Sequence, residues 1–200
     1  MDGAAEHLAD PTGQKALAFA MFKELNMIAV STSEGLHMFD YESELQHVKT
    51  LELRNVRQIC FVEMYIVLVL EDLDDSAIDG ECRILCYMID SDEPEGQIKI
   101  KEFMGQQVKV EPSEQSICFT TGSQIGRIQV PEMELMFQED AGHNIIDFST
   151  NDMCIFTTGD DSSLRLFDSD QGMMLIEPMA DMEVDRLAVQ GRHLVARCGG

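Results

Sequence analysis

Cysteine, carboxylate and histidine side chains are the groups in this chain able to do chemistry, and their spacing decides what kind. Cys82 and Cys86 are four residues apart. On a strand they would share a face about 13 Å apart, too far to ligate one zinc ion. Paired CxxC motifs and His-rich tracts do not occur, so no zinc framework is expected. Asp75, Asp79 and Gly80 fall at the first, fifth and sixth positions of an EF-hand-type loop. Ala77 and Cys86 then occupy the third and twelfth, where calcium needs oxygen ligands, and the flanks read as strands rather than helices. No GxxxxGK(S/T) loop, GxGxxG turn or GxSxG elbow is present. With 37 acidic residues, close carboxylate pairs arise by chance and make no case for acid–base catalysis. His143 stands out, preceded by Gly142 and followed by a turn with Asp160 and Asp161. The chain reads as a non-enzyme without cofactor or metal.

Composition bounds the alternatives. Two hundred residues with 44% hydrophobic content suffice for one domain with a sizeable core. The 14 basic residues leave a formal charge of −23. That field repels phosphate backbones and anionic membrane surfaces and attracts Lys/Arg-rich protein surfaces. The longest apolar run, Tyr65 to Leu70, is too short to span a membrane. The opening residues 1–7 lack the basic and apolar regions of a signal peptide. The six cysteines lie in apolar, strand-like sequence, as expected of reduced core thiols in the cytoplasm or nucleus.

Repetition organises the chain. The segment 27–40 (MIAVSTSEGLHMFD) aligns with 153–168 (MCIFTTGDDSSLRLFD), and 116–130 (SICFTTGSQIGRIQV) joins them. Residues 65–70 followed by 83–90 form a looser copy. Each unit is an apolar strand, a polar turn and a second strand, at a period of about 40 residues. Continuous apolar strands such as 66–70 suit a sheet buried on both faces. The spacing predicts an all-β chain with four repeats, 15–54, 55–104, 105–140 and 141–180, and a partial fifth, 181–200, after a polar tail, 1–14.

The 142–168 segment resembles one blade of a WD-repeat β-propeller, with Phe167-Asp168 where the family usually has Trp-Asp. Residues 16–104 also resemble a citron homology (CNH) propeller. The carrying segments are 27–41, 48–59, the strand 65–70, and 83–90. Both resemblances imply a β-propeller of about four to five four-stranded blades, partial or small. A ring that stops within a blade would be a fragment of a longer propeller, pair its last strands with the first blade, or be completed by another chain. In WD-type blades a His near the outer strand, a turn Asp, a hydroxyl and the aromatic form a side-chain network that locks the strands. His143, Asp161, Ser163 and Phe167 match it, truncated because Phe has no indole N–H.

Propeller blades are binding platforms more often than enzymes. The expected function is a non-catalytic scaffold subunit of a cytoplasmic multiprotein complex, engaging basic partner subunits through acidic loops. The loop candidates are Asp72, Asp74, Asp75, Asp79 and Glu81, with Asp92, Glu93 and Glu95. The CNH resemblance implies an alternative, a regulator in vesicle trafficking or signalling that binds a small GTPase. Met173, Met174, Met179 and Met182, near Gly172 and Pro178, are candidates for an exposed contact patch.

Overall fold

The computed structural model describes residues 16–71, 80–102, 106–179, 184–191 and 193–198, the side chains of 177–179 excepted. Apart from one short 3-10 turn, Lys23–Leu25, the elements are strands. They form four antiparallel sheets of four, each built from consecutive strands. The first comprises β1 (Ala18–Phe22), β2 (Met27–Ser31), β3 (Leu36–Asp40) and β4 (Gln46–Leu51). The second comprises β5 (Val56–Val62), β6 (Tyr65–Glu71), β7 (Glu81–Met88) and β8 (Pro94–Lys101). The third holds β9 (Lys109–Ser113), β10 (Ser116–Thr121), β11 (Gln124–Gln129) and β12 (Glu134–Asp140). The fourth holds β13 (Ile145–Thr150), β14 (Cys154–Gly159), β15 (Leu164–Asp168) and β16 (Met174–Met179). Two further strands, β17 (Val184–Gln190) and β18 (His193–Cys198), make a separate two-stranded sheet and do not join the first one.

The first strands of successive sheets pack side by side in the order β1, β5, β9, β13, β17. The fourth strands β4, β8 and β12 lie outermost and are mostly exposed. Strand β6 shows why its sequence does not alternate. Ile66, Leu68 and Leu70 pack with the first sheet, while Val67 and Val69 pack with the third. Strand β10 repeats the device: Ile117 and Phe119 face the second sheet and Cys118 faces the fourth. Both faces of each middle sheet are therefore core, and a register slip of one residue would exchange the two sets. At the open side of the first sheet, β1 alternates, and Leu17, Phe19 and Met21 are about half exposed.

Cys60, Cys82, Cys86 and Cys118 are buried core thiols. Burial raises Cys60 and Cys86 to about 12 and, despite nearby Arg57, Cys82 to about 11. Cys154 is half-buried and Cys198 is exposed at the free edge of β18. The expectation of six core thiols fails at Cys198 because no further strand covers that edge among the described residues.

A first strand pairs on one side only, so half of its amides point away from the ladder. At three of the four junctions between blades, side chains of the preceding first strand receive some of them. Gln58 accepts from Val110 N–H at 3.1 Å, and Glu111 accepts from Thr150 N–H at 2.8 Å. Asp147 accepts from Leu187 N–H at 2.8 Å, and Ser149 accepts from Val189 N–H at 3.0 Å. Burial raises the Glu111 carboxyl above its ordinary value, although Thr150 N–H and Ser149 pull it down. A raised folded-state pKa means that ionised Glu111 opposes folding increasingly as pH rises through that pKa. Glu111→Gln keeps the acceptor without the charge. Its melting temperature should equal or exceed the wild type at pH 7, with the difference vanishing below pH 4. Glu111→Ala should instead cost about 1–3 kcal/mol by orphaning the Thr150 amide. Paired thermal melts across this pH range measure both.

Candidate functional site

His143 lies in the connection that leaves outer strand β12 and enters β13. The β14–β15 turn brings its partners back to it. The ring is buried, with Nδ1 3.1 Å from Asp161 Oδ1 and 3.2 Å from Ser163 Oγ. Its Nε2 lies 2.9 Å from the Thr157 hydroxyl in the middle of β14. Ser163 donates to Asp161 Oδ1 at 2.6 Å, and Arg165 donates to Asp161 Oδ2 at 2.6 Å. A carboxylate facing Nδ1 requires a donor there, which assigns the proton to Nδ1 and leaves Nε2 to accept from Thr157.

Electrostatics agree with a neutral ring. Burial lowers the His143 pKa, and the Arg165 charge lowers it further, against the pull of Asp161. For Asp161, burial acts upward, but donors from Ser163 and His143 outweigh it and hold the carboxyl well below its usual range. The constellation is a saturated hydrogen-bond network with its carboxylate already paired, an arrangement suited to locking strands.

Of the expected network, His143, Asp161 and Ser163 come together, and Phe167 does not take part in the bonding. Phe167 pairs with Ile155 across β14–β15 and packs with Cys118, Ile125 and Phe148 in the core toward the third sheet. Thr157 and Arg165 complete the network in its place. Thr157 was legible only as a hydroxyl inside an apolar strand. Gly159 is required here: a Cβ at that position would fall 2.7 Å from His143 Cε1 and closer still to Nδ1.

The acidic candidates divide. Asp72, Asp74, Asp75 and Asp79, with most of the calcium-like loop, lie outside the described residues, as does Met182. Glu81 begins β7 and lies 3.6 Å from Lys99. Asp92, Glu93 and Glu95 lie past the far end of β7, in and beyond its turn into β8, and are exposed. Eight residues of strand separate Glu81 from Asp92 and Glu93 by about 25 Å, so these do not form one patch. Met173 and Met174 are exposed, 59% and 50%. Met133 is buried although it sits in a turn, and Met136 is exposed although it sits in a strand. Among the described residues no three His, Cys, Asp or Glu side chains are grouped to hold a metal ion, and no helix is long and apolar enough to cross a membrane.

The arrangement of the sheets has solved counterparts. The crystal structure of Kluyvelomyces marxianus Hsv2 matches with a TM-score of 0.61 at 9% sequence identity, over 87% of this chain and 51% of that one. The fold is a β-propeller. Each four-stranded sheet is a blade, and β17–β18 are the described strands of a fifth. The chain spans about half the length of the Hsv2 chain. No family model and no curated protein matches the sequence.

The His143 network predicts acid lability of the fourth blade. A folded-state pKa held below the ordinary 6.5 leaves stability intact above pH 6.5 and erodes it as pH falls toward the lowered value. The melting temperature of the wild type should drop between pH 7 and 5. His143→Gln should be less stable at pH 7, by about 1–3 kcal/mol, and should lack that part of the slope. Parallel slopes for the two proteins would contradict the assignment.

Proposed function

We propose that this propeller is a non-catalytic protein-interaction scaffold that engages basic partners in a cytoplasmic multiprotein complex. The observation that carries the reading is the uneven charge of the two ends of the blades. Antiparallel order puts the first-to-second and third-to-fourth strand turns of every blade at one end. There Glu42, Glu63, Asp90, Glu93, Glu114 and Asp152 are all exposed. Lys23 is the only base among the described residues of those turns. Lys49 reaches in from β4 to pair with Asp92, and Arg127 from β11 to pair with Asp170. Among the described residues of the opposite-end turns the acids are fewer, Glu34, Glu52, Glu102, Asp160 and Asp161, and two of them are paired, Glu102 with Arg57 and Asp161 with Arg165. A surface of one sign steers an oppositely charged partner and suppresses like-charged ones.

The WD-repeat type is the propeller subtype we favour, supported by the placement of His143, Thr157 and Asp161 in the fourth blade. The saturated partners of His143 support a structural role for that residue rather than a catalytic one. In a stopped-flow titration with a lysine-rich peptide, affinity should fall steeply with added salt, chiefly through the association rate. Binding that is absent or indifferent to salt would contradict the scaffold reading. Capture of a small GTPase in a nucleotide-dependent manner would favour the CNH-like alternative.

A further inference from the structure

We propose that the acidic end of the propeller is a mixed surface whose occupant is a partner segment carrying both Lys/Arg and apolar side chains. This deepens the scaffold reading and rests on it. The carrying observation is where the exposed apolar side chains lie. Leu45 is 51% exposed, Met64 51%, Met153 76% and Met173 59%. All four sit in turns at the acidic end. Among the described connections of the opposite end, Leu17 just before β1 is the one large hydrophobic residue comparably exposed. Apolar side chains scattered singly over a surface are ordinary, but four of them in the turns of one acidic end are not.

The turns at this end are also tied together. Gln115 Nε2 donates to Glu63 at 3.0 Å between the second and third blades, and Asn151 Nδ2 donates to Gly191 O at 3.0 Å between the fourth and fifth. Ile89 N–H donates to Met64 O at 3.1 Å and Ser169 N–H to Met153 O at 3.0 Å. The methionines are thus presented from anchored backbone on side chains that remain adaptable, a combination that limits the ordering cost of binding. A purely basic ligand would satisfy the carboxylates and leave the methionines in water. A purely apolar one would bury carboxylates without partners. The complementary ligand has both kinds of side chain in one segment.

The test is fluorescence anisotropy with two labelled peptides of equal length and charge, one alternating lysine and leucine, the other lysine and serine. Thermal melts check that each variant folds. Wild type should bind the leucine peptide about tenfold more tightly. Combined Met64→Ser, Met153→Ser and Met173→Ser should bring the two affinities together. Met153→Ser alone, at the most exposed of these positions, should narrow the gap in the same direction. Glu63→Gln with Glu114→Gln should weaken both peptides, and Glu34→Gln with Glu52→Gln at the opposite end should weaken neither. An unchanged leucine preference in the serine variants overturns the inference, as does equal weakening from both ends, while leaving the scaffold reading standing. Failure of both peptides to bind wild type overturns the scaffold reading itself.

Discussion

Everything in this fold depends on how the unpaired edge of each first strand is satisfied. A four-stranded blade leaves that edge facing its neighbours, and an unmet buried amide costs about 1–3 kcal/mol. Gln58, Glu111, Asp147 and Ser149 meet the requirement by placing an acceptor on the amide of the next first strand. These bonds tie the second blade to the third, the third to the fourth and the fourth to β17. Apolar layers between the blades supply the driving force, with β6 and β10 contributing to a layer on each face. The polar contacts add register, because an acceptor shifted by one residue would point to the wrong face.

Much of the blade architecture was legible in the sequence for this reason. Strand β6 reads as an unbroken apolar run because both of its faces are core, and the recurring strand–turn–strand units correspond to hairpins within the sheets. The connecting bonds were not legible. Gln58, Glu111 and Asp147 look like polar interruptions of strands, and only the neighbouring blade shows what they accept. The same limit applies to Thr157, whose ring partner His143 lies fourteen residues away in sequence. Phe167, which has no donor to give that network, packs in the core toward the third sheet.

Surface properties follow strand direction rather than proximity in sequence. Glu81 and Asp92 are close in the chain, yet β7 carries them to opposite ends of the blade. Turns distant in sequence, such as those holding Met64 and Met153, are brought to one end by the same alternation. Among the described residues, exposed carboxylates and methionines are thereby more numerous in the turns of one end than in those of the other. The proposed role in recognition rests on that sidedness.

The most direct test of this account is residue-resolved amide hydrogen exchange at Val110, Thr150, Leu187 and Val189. These amides face away from their own ladders and are held by side chains of the preceding blade. Exchange as slow as that of paired ladder amides in the same strands is the predicted result. Rapid exchange at these positions, with the ladders still protected, would show that side-chain acceptors do not join the blades.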